Sequence, residues 1–345
     1  MPPRTTRPPT TESLLPPILD LLTSSPPNPY SAHQKALTTT ARLVHSDHVD
    51  VALDILFATA RELLKLGEAA SGVELGVRMT QIMTEGDVAV DQKTLASLTQ
   101  LLALTPPSGP WRKKLVDAAI RWTQVKGTCP TGDPGLHQYV GEMNYKDRLY
   151  PQAEAHLLAS GKRDAAITLA EMMFDWCEKG VLDPSPYALR GTLPFLTHRP
   201  PSILPALTFL TTFLNLLSTS STSSKIFITN LPSHTLSTPE IHLTTSPTLN
   251  FLQLALLTVQ RAPAPGVSPV QARGMTGGVG REWESLVGRY RRISGLDGVL
   301  NHPEAVEVMD KIGQEVFLIP PRGGSGGGDL LQNLMGSFFG SGGSM

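Results

Sequence analysis

Residues 49–64 read Val49-Asp50-Val51-Ala52-Leu53-Asp54-Ile55-Leu56-Phe57-Ala58-Thr59-Ala60-Arg61-Glu62-Leu63-Leu64. Val49, Ala52, Leu53, Leu56, Ala60, Leu63 and Leu64 recur at three- and four-residue spacing, which places them on one stripe of an α-helix. Ala165, Ala166, Leu169, Ala170, Met173, Trp176 and Cys177 make a second stripe of the same kind. Between such stripes lie only short breaks: Ser46-Asp47, Gly67, Glu85-Gly86-Asp87, Pro106 to Pro110, Gly132 to Gly135, Gly161 and Asp183 to Pro186. Helices of ordinary length joined by short turns pack antiparallel to their neighbours. A long succession of such pairs, with no strands between them, predicts an all-α fold, an α-solenoid of antiparallel helix pairs. Leu149 to Leu158 sets a large aromatic, Tyr150, before a helix of small residues, a tetratricopeptide-like pair.

One stretch departs from the helical period. Lys225-Ile226-Phe227-Ile228-Thr229 alternates and is β-branched and aromatic, Pro232 to Thr238 has turn chemistry, and Ile241-His242-Leu243 is placed to pair back. This predicts one β-hairpin, about residues 224–243, inserted in the C-terminal half and lying on a helical surface, because an isolated hairpin is not stable in water. Helical patterns resume at Pro247 to Arg261, near Trp283 to Ile293, and at Pro303 to Phe317. After Pro320 and Pro321 comes a glycine-rich leash, then an apolar burst in which Leu330, Leu331, Leu334, Met335 and Phe338 share one helical face. Asp329 stands at its N-cap position and Gly340 at its stop. The expected organisation is a disordered start (1–12), an N-terminal helical-repeat half (13–160), a C-terminal helical-repeat half with the hairpin (161–321), and a leash with a short apolar helix (322–345).

With 345 residues, 40% of them hydrophobic, the chain can bury a sizeable core, and a net charge of −1 exerts no global pull on nucleic acid or an anionic surface. Two cysteines far apart, Cys129 and Cys177, make neither a disulfide scaffold nor a CxxC site. Met1 to Pro9 is proline-rich without the apolar core of a signal peptide, and no stretch makes a comfortable membrane span, so the cytosol is the expected compartment. No catalytic constellation emerges: Gly277 to Gly280 follows no strand and precedes no phosphate-binding Lys-Ser/Thr, and HExxH and GxSxG are absent. His33, His45 and His48 lie close in sequence without a further ligand at helical spacing, and read as surface or helix-end residues. Glu171 and Asp175 read as a solvated helical acid pair. Two basic clusters, Arg112-Lys113-Lys114 and Arg289-Tyr290-Arg291-Arg292, are short and read as solvated helix faces. Neither an enzymatic activity nor a cofactor or metal is expected.

The N-terminal third carries a more pointed pattern. Tyr30 to Lys35 opens a helix that runs through Arg42, and two helices later Ala70-Ser71-Gly72-Val73-Glu74-Leu75 sets small residues beside an acid at a helix start, where the helix dipole favours negative charge. In an antiparallel array, Lys35, Arg42 and Glu74 are placed to share one edge.

Several blocks, in order, resemble the Golgi-to-ER traffic protein four family, the cytosolic adaptor of the guided-entry pathway for tail-anchored membrane proteins. They are Tyr30-Ser31-Ala32-His33-Gln34, Ser71 to Leu75, Gly132 to His137, Gln152-Ala153-Glu154-Ala155-His156, Leu249 to Thr258, Ile312 to Pro321, and the tail Leu330 to Gly340. The chain departs from the family pattern at the proline-broken Ser13 to Pro29, at Ala36 to Thr40, and at the Gly/Pro-rich Ala262 to Gly280. The resemblance implies a non-enzymatic scaffold with two binding ends. The N-terminal half would dock the targeting ATPase dimer transiently and in its nucleotide-bound state, with Lys35, Arg42 and Glu74 as candidate contacts. The C-terminal half would grip a ubiquitin-like-domain adaptor tightly, with Ile226, Phe227, Ile228, Phe251, Leu252, Leu330, Leu334 and Phe338 as candidate contacts or their support. Through that adaptor the scaffold would meet a co-chaperone loaded with tail-anchored client, without contacting nucleic acid or inserting into a membrane. The rival reading is a helical-repeat subunit of another multiprotein complex.

Overall fold

The repeated turn is the clearest expression of the sequence in the structure, a computed structural model that describes residues 8–180, 183–197, 201–228, 241–262 and 278–320. Helix α3 (Pro29–His45) ends at Ser46, and Asp47 takes a left-handed φ of 62°. The N–H of His48 then donates to the carbonyl of Leu43 at 2.8 Å. The same closure ends α4 (Val49–Lys65) through Gly67 and the Glu68 to Leu63 bond, α5 (Ala69–Glu85) through Asp87 and the Val88 to Met83 bond, and α8 (Pro134–Lys146) through Arg148 and the Leu149 to Asn144 bond. Each such turn satisfies carbonyls orphaned at the helix end and reverses the chain, so the next helix folds back on the last.

Backbone contacts divide the chain into two compact units. The first runs through Phe195 and takes in Leu204–Phe227; the second comprises Leu196–Ile203 and the residues from Ile228 on. The first unit opens with α1 (Thr11–Leu14) and α2 (Pro16–Thr23). It continues beyond α5 with α6 (Gln92–Leu104), α7 (Trp111–Lys126), α9 (Tyr150–Ser160), α10 (Arg163–Gly180), α11 (Ser185–Leu196) and α12 (Ile203–Thr219). Helices two places apart pack on each other: α2 on α4, α4 on α6, α6 on α8 and α8 on α10 form one layer, and α3, α5 and α7 form a second. This two-layer stacking is the geometry of a helical-repeat array.

A helix in the middle of such an array is covered on more than one side, so its buried face is wider than a single stripe. Ala52, Leu56, Ala60, Leu63 and Leu64 are buried as their spacing requires, and Ile55 and Thr59 are buried with them. Val49 and Leu53, at the stripe's edge, are half-buried. The second stripe is likewise buried from Ala165 to Met173 and at Cys177. Helices α4 and α5 approach at Gly72, where a Cβ would stand 2.6 Å from Leu64 Cγ and 3.1 Å from the Ala60 carbonyl. Tyr150 stacks on Trp176 with ring centroids 5.4 Å apart, which binds the small-residue helix α9 to α10.

The cluster Arg112-Lys113-Lys114 is not a uniform solvated face. Arg112 is buried in the first turn of α7, and its Nε and Nη2 donate to the Thr105 carbonyl at 3.2 and 2.7 Å while Nη1 donates to Asp147. Thr105 caps the C-terminus of α6 and Asp147 that of α8, so one guanidinium ties three helices. The start of the chain is also more ordered than its prolines imply: α1 begins at Thr11, with Thr10 and Ser13 forming a capping box.

The expected β-hairpin at about 224–243 is a correction: among the described residues there is no strand. Ser224–Ile226 is a 3-10 turn. Ile241 to Thr244 runs beside α13 (Pro247–Val259), and its backbone finds partners there rather than on a second strand. The amide of Gln253 accepts from His242 N–H and donates to the His242 carbonyl, both at 2.8 Å. Asn250 does the same for Thr244, at 2.9 and 2.7 Å. With the backbone of His242 and Thr244 held by these two amides, the arms meet only at an isolated bridge around Phe227 and Thr244, where Ile228 N–H donates to the Leu243 carbonyl at 2.9 Å, and among the described residues the bridge does not extend into a strand. The predicted turn at 232–238 lies outside the described residues, as do the leash and Leu330, Leu334 and Phe338. The second unit is completed by α14 (Val279–Ser294) and α15 (Pro303–Glu315), joined by a 3-10 turn at Val299–Asn301.

Candidate interaction surfaces

Helix α3 supplies the N-terminal surface. Asn28 starts it by accepting the N–H of Ser31 at 3.0 Å, with Pro29 at the first position. Lys35 and Arg42, seven residues and two turns apart, stand about 10 Å from each other along one exposed face. Lys35 Nζ donates to the Pro17 carbonyl of α2 at 3.1 Å. Arg42 lines an open hollow with Leu37, Thr38, Ala41 and His45. Glu74 does not join them. His33 lies two residues before Lys35, hence on the opposite side of α3, and is buried against α5 with Nε2 3.5 Å from Glu74 Oε2. The structure therefore brings Lys35 and Arg42 together on one face of α3, and places Glu74 near His33 on the other side of that helix.

In the C-terminal unit, Phe251 and Leu252 are both 0% exposed. Phe251 packs on Trp283 and Tyr290 at centroid distances of 6.2 and 5.9 Å, and Trp283 stacks on Phe317 at 5.1 Å. Buried in this way, neither side chain is presented to a partner. Ile226 and Phe227 are half-buried, whereas Ile228 and Ile241 present exposed β-branched side chains, 45% and 42% accessible.

A pairing that sequence reading missed joins His137 of α8 to His156 of α9. His137 Nε2 lies 3.0 Å from the Thr131 carbonyl, so it carries the proton there; its Nδ1 then accepts from Nδ1–H of His156, also at 3.0 Å. Burial, and then the neighbouring imidazole, push the pKa of His156 down to about 4, so His156 is neutral at physiological pH. Both histidines stand in blocks that carry the family resemblance, but nothing in their separation along the chain signals contact. Among the described residues no group of three or more His, Cys, Asp or Glu could hold a metal ion, and no helix is long and apolar enough to cross a membrane.

Helix pairs stacked in two layers, with cations on an outer helix face, define an α-helical repeat protein. The sequence matches the family described as Golgi to ER traffic protein 4 over residues 46–339, and the chain belongs to that family. It is 26% identical over 318 residues to Golgi to ER traffic protein 4 homolog B of Xenopus laevis, covering 91% of this chain and 83% of the relative. It is 28% identical over 250 residues to Golgi to ER traffic protein 4 of Aspergillus fumigatus, covering 68% and 70%. The crystal structure of C. therm. Get4 superposes with a TM-score of 0.71 at 26% identity, covering 96% of each chain. At the level of the family, this places the chain in the Golgi-to-ER traffic pathway.

Proposed function

We propose that the protein is a non-enzymatic scaffold for delivery of tail-anchored membrane proteins to the endoplasmic reticulum. In this reading it bridges the targeting ATPase and a ubiquitin-like-domain adaptor, so that client passes from a co-chaperone to the ATPase in the cytosol. The observation that carries the reading is the family match across residues 46–339 on a helical array that keeps Lys35 and Arg42 exposed on one outer helix. Exposed cations at the rim of a contact raise association rate more than they slow release, which suits a partner that must be recycled. The apolar Ile228 and Ile241 suit a contact of slower exchange.

The test is a binding assay with the nucleotide-bound ATPase dimer and, separately, the ubiquitin-like adaptor. Charge reversal (Lys35→Glu with Arg42→Glu, and Glu74→Lys by itself) is expected to weaken ATPase binding and leave adaptor binding intact. Unchanged ATPase affinity in these variants removes the site assignment. Full recovery of the adaptor with Phe227→Asp, Leu330→Asp and Leu334→Asp combined removes the C-terminal assignment.

A further inference from the structure

The second basic cluster, Arg289 to Arg292, is divided by the fold. Tyr290 packs on Phe251 at 5.9 Å, and Arg291 Nε donates to Asn301 Oδ1 at 2.8 Å. Arg289 and Arg292 point to solvent on the same side of α14 as Arg281, within an arc of about 80° and a length of about 16 Å. Among the described residues none of the three has an ion-pair partner, whereas the neighbouring acid Glu282 is held by Arg261 at 2.7 Å. Ser285 and Gly288 occupy the rest of that face, and a Cβ at Gly288 would meet nothing within 4 Å.

The arginine row ends at an apolar tip. Ile293 is 55% exposed, and Leu296, 96% exposed, is the most exposed large hydrophobic among the described residues. The tip is built rather than frayed. Asn301 Nδ2 donates to the carbonyls of Arg291 and Gly295 at 2.8 and 2.7 Å, closing the loop. Gly295 turns the chain at φ 76°, and Gly298 packs where a Cβ would stand 2.0 Å from Ser294 Oγ. A leucine held out by a pinned loop, on a domain with ample core to bury it in, costs stability unless something covers it.

We propose that this tip and the arginine row form a docking surface for an anionic phospholipid membrane, lying on it and not crossing it. Unpaired guanidiniums along a helix match a plane of phosphate and carboxylate headgroups, and Leu296 and Ile293 reach below them. The surface is a projection, so it offers no groove to a peptide. The adjoining cleft of about 200 Å³ is lined by Arg291 as well as by Glu284 and Asp310, so it lacks the net positive charge that would draw an acidic peptide into it. Asp297, beside Leu296, subtracts one charge from the tip without cancelling the row.

Cosedimentation of the full chain tests this. The probes are vesicles of equal parts phosphatidylserine and phosphatidylcholine, against vesicles of phosphatidylcholine alone. The wild-type protein is expected to bind the anionic vesicles, to ignore the neutral ones, and to release as salt is raised. Arg281→Gln, Arg289→Gln and Arg292→Gln together should weaken binding by about a hundredfold, near fivefold for each charge. Leu296→Ser should weaken it about tenfold. All four side chains are exposed, and unchanged far-ultraviolet circular dichroism verifies that the variants are folded. The proposal is overturned if anionic vesicles are not bound, if either variant binds as the wild type does, or if the variants lose an acidic protein partner while vesicle binding is absent.

Discussion

Arg112 gives the sharpest test of how the array is held together. Its guanidinium donates twice to the Thr105 carbonyl and once to Asp147, joining the ends of α6 and α8 from the start of α7. Arg112→Met keeps most of the aliphatic stem and removes every donor. The Thr105 carbonyl is then buried without that partner, a loss of about 1.5–3 kcal/mol for a hydrogen bond to a charged group. Asp147 is partly exposed, so its ion pair adds at most about 1 kcal/mol. The relief of an otherwise buried guanidinium offsets part of this, leaving a net loss of about 3 kcal/mol. For a domain of this size that is a fall of about 6–12 °C in Tm, read by thermal unfolding in far-ultraviolet circular dichroism. Arg112→Lys keeps the charge but reaches one acceptor at a time, so it should fall between the two. A cycle with Asp147→Asn should return a coupling of about 1 kcal/mol. If Arg112→Met melts with the wild type, the clamp carries no stability and the reasoning fails. If it also loses a partner, the residue belongs to a binding surface after all.

Gly72→Val drives a branched side chain into Leu64 and the Ala60 carbonyl and should destabilise by about 2–4 kcal/mol in chemical denaturation, more than Gly72→Ala, whose clash is partly offset by better helix propensity. His156 has its pKa pushed down to about 4 in the folded protein, against about 6.5 unfolded. The unfolded chain therefore binds that proton first; the stability is fully present above pH 6.5 and is lost as pH falls from about 6.5 to about 4, by about 2–3 kcal/mol. His156→Asn should flatten this part of the stability profile relative to the wild type, and an unchanged slope would show that burial of His156 does not depress its titration. Lys35→Glu with Arg42→Glu should lower the association rate with the ATPase dimer more than it raises dissociation, and the difference should shrink at high salt, as stopped-flow binding would show.

Much of the fold was legible because helical period is local. The stripes at Val49 to Leu64 and Ala165 to Cys177 are set by residues three and four apart, and the structure buries them. Turns marked by Asp47, Gly67 and Asp87 were legible for the same reason. The turn at Asp147 to Leu149 was not, because Arg148 adopts a left-handed φ of 60° without the glycine or asparagine that would announce it. The alternation at 225–229 is a real local property, but whether it becomes a strand depends on who claims the opposite backbone.

The sequence by itself determined an all-α chain of short-turn helix pairs, and through the spacing of its blocks the family to which it belongs. Only the tertiary structure decided which groups are spent inside the molecule and which remain for partners. It gave His242 and Thr244 to the amides of Gln253 and Asn250, and so left no strand among the described residues. It spent Arg112 on two helix ends and Arg291 on a loop, while leaving Arg42, Arg281, Arg289 and Arg292 without an ion pair among the described residues. Period and propensity act over a few residues, but competition for a donor, an acceptor or a charge is settled between residues that the chain brings together only on folding.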